Sequence, residues 1–572
     1  MSQTRLQPGH DPAKKLGPFL LPEKTCEIIS YLTRMSLLFC LISSISLVLY
    51  TSFFPGNQTP FWPPFPHPTR TETQLRSGQP TNISHILFCI GGSTATWHNR
   101  SRYSSIWWVP NVTRGFVWLD QEPNSTQTDK NVPAVMVSSP EWTRFKFSSS
   151  RSAVRIARVI SDSVKLRLPS VRWFVMGDDD TVYYTDNLVS VLSRYDHNQM
   201  WYIGGNSESV EQDAMHSYDM AFGGGGFALS YPLAERLVNM LDGCLERYYY
   251  FYGSDQRIWA CISEIGVPLT RERGFHQRRA DGSIRNGMGL AAYLLHELIV
   301  KSYEKIWNKD LALKEDRMQE YGTRQQSNDC LTAFSIMHGS DYHAFRFAYS
   351  YVVEFDIRGS VYGLLAAHPL APLVSLHHLD NLEPLFPNHN QIDSLKSINQ
   401  AYQVDPPRIF QQAFCQDYKR KWSISIAWGY TVQLYTLLLP AKDLQTPVRT
   451  FKTWRSWSDG PFTFNTRSTE PDHCKKPIVF MLEHAKEAGI NESLTSYTRI
   501  LHKPGKTCNT ASYAQANSVQ RILVSSLKMG PDYWKKAPRR FCCELMNNGS
   551  IKKSSMQIRI RKCRNWETVT SR

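Results

Sequence analysis

The sequence predicts an α/β protein whose mainly parallel sheet is flanked by helices, followed by a smaller β-rich domain. Between His85 and Ile265, short apolar segments alternate with segments whose apolar residues recur at helical spacing. Strands that alternate with helices are typical of a parallel sheet covered on both faces. After residue 390 the pattern changes to short alternating strands. We therefore expect two folded domains, residues 83–389 and 390–572.

Three strands and four helices are predicted in the first domain. A buried strand begins after His85 with the letters ILFCI, and the apolar segments 171–176 and 201–203 predict two more. The helices are predicted at 153–164, 188–195, 233–241 and 258–265. Ser230–Tyr231–Pro232 is typical of a helix start, and Asp255 lies near the start of the fourth helix.

The second domain is predicted to be stabilised by disulfides. Trp422–Tyr430 alternates as on a half-buried strand, and Ile478–Leu482 and Met556–Ile560 are further strand candidates. Five cysteines lie in the last hundred residues without the paired spacing of a zinc site, so in an oxidising compartment they are disulfide candidates. They are Cys474, Cys508, Cys542, Cys543 and Cys563.

The N-terminal residues predict a membrane anchor. Residues 35–54 contain no charge and are long enough to span a bilayer. Basic residues are more frequent in the preceding tail, 1–34, which favours a cytosolic tail and a lumenal body. Residues 55–82 are rich in Pro and Thr and predict a stem. All sequons for N-glycosylation follow the apolar segment, at Asn57, Asn82, Asn99, Asn111, Asn124, Asn491 and Asn548.

The net charge of +15 does not predict a nucleic-acid partner. The basic residues are scattered along the chain and no nucleic-acid motif accompanies them. We therefore expect no binding of DNA or RNA.

Three consecutive carboxylates form the strongest candidate site. Asp178, Asp179 and Asp180 directly follow the predicted strand at 171–176. Ligands bind at the carboxyl ends of strands in open α/β sheets. Adjacent carboxylates repel each other unless a cation offsets their charge. Carboxylate oxygens suit Mn²⁺ or Mg²⁺, which also bind a diphosphate. A solvated acidic turn is the alternative.

The segment Phe222–Phe227 predicts a second part of the site. Its four glycines, Gly223, Gly224, Gly225 and Gly226, have no Cβ, so a ligand could approach the backbone closely. A flexible turn is the alternative. Asp255 could be a general base, although Asp is also a favoured helix N-cap. His276 and the pair His377–His378 could each complete a metal site, or could be ordinary core histidines.

Six segments taken together resemble a known family. WFVMGDDDTV, YIGGNSES, FGGGGFALS, YGSDQRI, GVPLTRERGFHQ and GLLAAHPLAPLVSLHHLD are similar to the plant fringe-related proteins, and hence to inverting β-1,3-glycosyltransferases of the fringe and core-1-synthase type. The resemblance covers roughly residues 83–277 and 355–565. It implies a GT-A-like fold, a UDP-sugar donor, Mn²⁺ and a single-pass type II topology in the Golgi membrane.

The resemblance also implies roles for particular residues. Asp178 and Asp180 match the family's metal-and-diphosphate motif, with Asp180 the most direct metal ligand, and Asp178 and Asp179 are the candidates for contact with the donor. Gly223 to Gly226 match the glycine stretch beside donor and acceptor, and Asp255 matches the proposed catalytic base. VSLHHLD favours His377 as the ligand histidine, and His276 in GFHQ is the alternative.

One segment departs from the family pattern. Relatives run from GFHQ almost directly into a stretch like FDIRGSVYGLLAAHP, whereas here Arg278 to Glu354 intervenes without a family motif. This segment is either a surface insertion or a translated intron.

The favoured function is therefore an inverting glycosyltransferase that moves a hexose or N-acetylhexosamine from a UDP-sugar to a glycan or glycoprotein acceptor, forming a β-1,3 linkage. A catalytically silent sugar-binding or scaffold protein of the same fold is the alternative. A metal-dependent phosphotransferase is disfavoured because the phosphate-loop lysine motif is missing from the sequence.

Overall fold

The structure is a computed structural model, and Pro80–Arg572 form one compact unit. It describes residues 80–123, 130–145, 151–277, 357–380, 382–453, 460–500, 508, 510–530, 532–546, 554–565 and 567, together with Met35, Leu38, Phe39 and Ile42. Among these residues, no helix has the length and hydropathy needed to cross a membrane. Most of the predicted anchor 35–54 and all of 278–354 lie outside the described residues.

A seven-stranded mixed sheet forms the centre of the first part of the unit. Its strands are β1 (Ile86–Gly91), β2 (Gly115–Leu119), β3 (Ala134–Val137), β4 (Trp173–Asp178), β6 (Tyr202–Gly204), β7 (Phe227–Ser230) and β8 (Leu269–Arg271). Their order is β3-β2-β1-β4-β7-β6-β8. Only β7 runs antiparallel to its neighbours in this sheet, so the sheet is mainly parallel, as predicted.

Helices surround this sheet. The helices of the compact unit, within its described residues, are α1 (Thr94–Trp107), α2 (Arg151–Lys165), α3 (Thr185–Leu192), α4 (Val210–Met215), α5 (Tyr231–Arg247), α6 (Ser254–Ile265), α7 (Tyr362–Ala366), α8 (Gln391–Val404), α9 (Ala441–Leu444) and α10 (Ala511–Asn517). The four helices predicted from periodicity correspond to α2, α3, α5 and α6.

Successive residues of the central strands face two different cores. In β4, Phe174 and Met176 pack with the core under α2, α5 and α6. Trp173 and Val175 face the opposite core, which continues into the C-terminal strands. The prediction of a sheet covered on both faces is therefore confirmed, because side chains alternate along a strand.

Some predicted boundaries were wrong by a few residues. Strand β4 begins at Trp173 rather than residue 171, and it continues to Asp178 because Gly91 of β1 pairs with Asp178. Helix α3 ends at Leu192 rather than at Tyr195, where the chain turns toward β6.

A small three-stranded sheet positions the candidate site. Its strands are β5 (Val182–Tyr183), β9 (Phe275–His276) and β11 (Ser375–Leu376), in the order β5-β11-β9. Leu376 lies opposite both Val182 and His276. The three aspartates and Thr181 precede β5, and His377 follows β11 directly, so this sheet brings distant parts of the chain together.

The C-terminal part contains a closed eight-stranded barrel. Its strands are β12 (Gln412–Asp417), β13 (Trp422–Ala427), β14 (Thr431–Tyr435), β16 (Ile478–Glu487), β17 (Glu492–Arg499), β18 (Arg521–Leu527), β19 (Phe541–Leu545) and β20 (Ser555–Lys562). A separate two-stranded sheet pairs β10 (Ile357–Gly359) with β15 (Phe451–Thr453). The boundary predicted at 389/390 stays a prediction.

The strand predicted at Trp422–Tyr430 was wrong in length and burial. Strand β13 ends at Ala427, and Gly429 has a φ of +77°, a conformation that glycine adopts readily, so the chain turns into β14. The polar residues of β13 are buried too. Ser423 Oγ accepts a hydrogen bond from the Leu439 N–H, and Ser425 Oγ accepts one from the Gln412 side-chain amide of β12, so residues of other segments cover this face.

All five C-terminal cysteines singled out by the sequence form disulfides, which confirms that prediction. The pairs are Cys415–Cys543, Cys474–Cys508 and Cys542–Cys563. A fourth disulfide, Cys244–Cys261, joins α5 to α6.

Candidate active site

The acidic turn places its three carboxylates in three different environments. The Asp178 side chain is 34% exposed, whereas those of Asp179 and Asp180 are buried. The turn is closed by Thr181, whose Oγ1 accepts a hydrogen bond from the Asp178 N–H (2.9 Å) and donates one to the Gly224 carbonyl (2.8 Å). The acidic turn is thereby fixed against the glycine stretch.

Asp180 and two histidines form a buried cluster. Asp180 Oδ1 lies 3.1 Å from His377 Nε2, and Asp180 Oδ2 lies 3.2 Å from His378 Nδ1. Asp178 Oδ2 lies 3.5 Å from the same His377 nitrogen. One ligand atom from each of Asp180, His377 and His378 falls within a span of 4.8 Å, which is compatible with a single metal ion. His378 adopts a positive φ of 55°, which is uncommon for a residue with a side chain.

The chemistry of this cluster fits a divalent cation. Both carboxylate oxygens of Asp180 and both ring nitrogens of His377 are buried, and although Arg100 and the histidines lie close to Asp180, none of these four atoms has a hydrogen bond of good geometry within the described residues. Buried polar atoms are normally hydrogen-bonded, or they coordinate metals. The mixed carboxylate and imidazole set suits Mn²⁺ or a similar ion.

Charge interactions within the cluster shift its pKa values in opposite directions. Burial alone would raise the pKa of Asp180, but His377 and His378 hold it well below its usual value. Burial alone would lower the pKa of His377, but Asp180 and Asp178 raise it to about 9. The His377 ring is thus protonated at neutral pH when no metal ion competes for its nitrogen.

Asp179 is held by residues that the sequence did not single out. Its carboxylate accepts hydrogen bonds from Thr96 Oγ1 and from the Arg100 guanidinium, both at 2.9 Å. Arg100 also lies 3.2 Å from Asp180. Burial raises the pKa of Asp179 to about 6, with Asp180 adding to the rise and Arg100 opposing it. Arg100 was missed because α1 has no marked apolar face and no motif marks this arginine.

The glycine stretch makes room for side chains of the site itself. A Cβ on Gly223 would lie 2.8 Å from Asp255 Oδ1, and one on Gly224 would lie 2.0 Å from His377 Cε1. Gly226 has a positive φ of 83° and faces Tyr183. The Gly225 N–H donates to the Gln277 side chain (2.6 Å). The expected contact of these glycines with a donor stays a prediction.

Asp255 lies at the second residue of α6 and contacts the glycine stretch. The N-cap of this helix is Gly253, not Asp255. Asp255 Oδ2 accepts a hydrogen bond from the Gly223 N–H (2.8 Å), and Oδ1 accepts one from Ser254 Oγ (2.8 Å). A small cavity is lined by Asp178, Gly223 and Asp255 among others. The carboxylate therefore borders the space beside the acidic turn.

His276 belongs to a different cluster. Its Nδ1 lies 3.0 Å from Glu208 Oε1, and its Nε2 lies 2.9 Å from His368 Nε2. All three side chains are buried. The structure thus brings His377 and His378 to the aspartates and places the His276 side chain against Glu208 and His368. Glu208 was missed because it is one of several polar residues in the segment 206–213, and His368 because it is a lone polar residue in an apolar segment.

The fold and these contacts define an α/β protein with an aspartate–histidine centre at the carboxyl end of a central strand. The chain belongs to the family described as "Protein of unknown function, DUF604", whose profile matches residues 212–300 and 323–543, more than half of the chain. The match is interrupted at 301–322 but includes 278–300 and 323–354, so the prediction that the whole segment 278–354 has no family motif was wrong for these two parts.

Curated relatives connect this family with glycosyltransferases. The chain is 30% identical over 138 residues to a β-1,3-glucosyltransferase of Homo sapiens, which covers 24% of this chain and 25% of that protein. It is 25% identical over 245 residues to the β-1,3-N-acetylglucosaminyltransferase lunatic fringe of Danio rerio, covering 39% of this chain and 61% of the relative. The chain is thus a fringe-related, glycosyltransferase-like protein that spans only part of these relatives.

Among solved structures, mouse xyloside xylosyltransferase 1 in its apo form matches 32% of this chain and 81% of its own, with 11% identity and a TM-score of 0.23. A glycosyltransferase involved in glycosylation of the major capsid of PBCV-1 matches 33% of this chain and 81% of its own, with 12% identity and a TM-score of 0.21.

Proposed function

We propose that this chain is an inverting, metal-dependent glycosyltransferase with a GT-A-like fold, which moves a hexose or N-acetylhexosamine from a UDP-sugar to an acceptor hydroxyl and forms a β-1,3 linkage. The curated relatives carry names of this reaction class. One observation carries the assignment to this site. Asp255 contacts Gly223 and His377 contacts Gly224, so the candidate base and the candidate metal ligand meet adjacent residues of one backbone segment.

Each candidate residue has a distinct task in this reaction. Asp180, Asp178 and His377 would hold the cation, with His378 close enough to contribute. When bound, the cation supplies positive charge for the leaving diphosphate. Asp255 accepts the proton of the acceptor hydroxyl while that oxygen bonds to the anomeric carbon and the bond to UDP breaks. Its hydrogen bond from the Gly223 N–H keeps the carboxylate oriented for this role.

We also propose a Golgi location with the body in the lumen, anchored by residues 35–54. Four disulfides fit an oxidising compartment. Four predicted glycosylation sites within the described residues are exposed, at Asn82, Asn99, Asn111 and Asn491. Protease protection of the body in microsomes, with a size shift after endoglycosidase treatment, would test the topology. Digestion from the cytosolic side would refute it.

The reaction is tested by measuring UDP release from a panel of UDP-sugars with Mn²⁺, using the full chain and its Asp255→Asn variant. The variant should keep Mn²⁺·UDP binding but lose roughly 10²- to 10⁴-fold in transfer, because the amide cannot accept the proton. Asp219→Asn, an exposed carboxylate paired with Arg271, is the matched control and should transfer normally. Wild-type chain that binds UDP-sugars without turnover would instead identify a silent sugar-binding protein.

A further inference from the structure

A second cavity lies at the opposite end of the central sheet from the candidate active site. It is an open pocket of about 320 Å³, near the lower end of the range of roughly 300–1,000 Å³ typical of small-molecule sites. Its lining residues are His85, Ser170, Val171, Arg172, His197, Asn198, Tyr231 and Pro232. Six residues of extended chain separate its Arg172 from Asp178, a distance of about 20 Å at 3.3 Å per residue. Nothing in the proposed transfer reaction uses this cavity.

The strand register brings its polar groups together. Trp173 of β4 lies opposite Ile86 of β1 and Ser230 of β7. The residues one step outside this row, His85, Arg172 and Tyr231, are therefore neighbours. Backbone hydrogen bonds fix them, from the Arg172 N–H to the His85 carbonyl and from the Tyr231 N–H to the Arg172 carbonyl, both 2.8 Å. The wall is thus built from regular structure on both sides of Arg172.

The wall of this cavity is rich in hydrogen-bond donors. His85 Nδ1 accepts a hydrogen bond from the Asn82 N–H (3.1 Å), so the neutral ring carries its proton on Nε2 as a donor. Arg172 adds a permanent positive charge, and His197 adds a second imidazole. Arg114 lies close enough to His85 to act on its charge, and its guanidinium donates hydrogen bonds to the carbonyls of Ser84 and Pro169.

The local electrostatics are positive. Burial lowers the pKa of His85, and the charges of Arg172, His197 and Arg114 lower it further. Burial and Arg172 also lower the pKa of His197, against a smaller rise from Asp196. Asp196 is exposed, and its oxygens accept hydrogen bonds from Asn198 and Gln199. An anion here would be attracted by the Arg172 guanidinium and would favour protonation of both rings. The first turn of α5, which Ser230 does not cap through its side chain, adds a weaker favourable field.

We infer that this cavity binds an anionic ligand of monosaccharide size, with its phosphate or carboxylate group on Arg172 and the His85 and His197 rings. Arg172 supplies the charge, and the imidazoles supply directed donors. The volume exceeds what a bare oxyanion needs, and Tyr231 and Pro232 offer ring surfaces to the remainder of the ligand. The ligand could be a free sugar phosphate or an acidic residue at the end of a glycan.

The test is calorimetric titration of the full chain with glucose 6-phosphate, glucuronic acid and neutral glucose as three separate probes. We expect at least one acidic probe to bind with a Kd of about 1 mM or tighter, and glucose not to bind. Preference for the phosphate would identify a sugar phosphate, and preference for glucuronic acid would identify an acidic glycan residue. Failure of both acidic probes, or equal binding of glucose, overturns the inference.

Variants locate the binding within the molecule. Arg172→Gln and His197→Gln should each weaken the acidic probe about tenfold or more, whereas Arg521→Gln, an exposed arginine on the barrel, should not. The melting temperature of each variant is measured first to establish that it is folded. If Arg172→Gln does not fold, the affinity of the His197→Gln variant decides the test. Unchanged affinity in a folded variant of either residue overturns the inference. UDP release should stay normal in these variants, so this test is independent of the proposed function.

Discussion

At the residue scale, the three consecutive aspartates are not equivalent. Both oxygens of Asp179 are bound by Thr96 and Arg100, which leaves little capacity for a ligand. Asp178 is partly exposed, and Asp180 is buried against two histidines. We therefore expect Asp180 to be the main protein ligand of the cation, Asp178 to face the donor, and Asp179 to hold the turn against α1.

Replacement of Asp180 by Ala should abolish Mn²⁺ binding. Removing a direct ligand should cost more than about 100-fold in affinity, because even a residue that only supports a ligand is typically worth about 10- to 100-fold. Titration calorimetry with Mn²⁺, with and without UDP, measures this loss. Asp393→Ala, a half-exposed carboxylate on α8, is the matched control. Unchanged Mn²⁺·UDP affinity in a folded Asp180→Ala variant would refute the assignment.

The pH dependence of metal binding should report His377. Because its pKa is raised to about 9, the ring holds a proton at neutral pH, and a cation that takes Nε2 must displace this proton. The proton is bound below the raised pKa, so the apparent affinity should increase with pH, about tenfold per unit between about pH 6 and 8. Calorimetry in two buffers of different ionisation enthalpy would count one released proton. Binding that is independent of pH would exclude His377 as a ligand.

At the scale of elements, the disulfide Cys244–Cys261 joins α5 to α6, the helix that carries the candidate base Asp255. It closes a loop of 17 residues between α5 and α6. The double variant Cys244→Ser, Cys261→Ser should lower the free energy of unfolding by about 3 kcal/mol, from the loop entropy that the cross-link removes. Denaturant unfolding measures the change. When all disulfides are reduced, the wild type and the variant should have nearly equal free energies of unfolding. A large difference that persists after reduction would show that the substitutions act through packing and not through loss of the disulfide.

The elements that sequence reasoning found are those with strong local patterns. Strand β4 and helix α2 have continuous or periodic apolar residues, and the structure confirms both with small shifts of boundary. The strand predicted to reach Tyr430 was wrong about burial because Ser423 and Ser425 are covered by residues of other segments, Leu439 and Gln412. Periodicity describes one element at a time, and it does not report which segments cover that element.

The candidate site could be predicted only in part from the sequence, for the same reason. Asp178–Asp180 and Gly223–Gly226 are visible as local clusters, and the structure places them in contact through Thr181. Arg100 reaches the cluster from a helix without a motif, and the separation of His276 from His377 depends on which way each side chain leaves its strand. Contacts of this kind, between segments distant in the chain, leave no pattern in the local sequence.

At the scale of the whole molecule, the site is assembled across the segment 278–354. Strand β9 ends at His276 and pairs in parallel with β11, which ends at Leu376. Ser375 Oγ donates a hydrogen bond to the Gly225 carbonyl, which adds a second tie between the two parts of the site. The described residues on both sides of the segment thus belong to one small sheet and one active site.

Deletion of residues 278–354, joining Gln277 to Phe355, should therefore leave a folded protein that is at least as soluble and as active as the full chain. A loop's closure entropy changes by only about 0.6 kcal/mol for each doubling of its length, so shortening the connection costs little. The sequence at 345–353 is aromatic and apolar and would promote aggregation if exposed, so yield should not fall.

The comparison needs the full chain and the deletion variant expressed side by side, with yield, melting temperature and UDP release measured on each. A second deletion, residues 301–322 alone, removes only the part that the family match omits and serves as the control. If the short deletion is tolerated and the long one misfolds, then 278–300 or 323–354 contributes to the fold, as their match to the family profile would allow. Because β11 follows this segment in the chain, the contact of His377 with Asp180 would then depend on a folded 278–300 or 323–354.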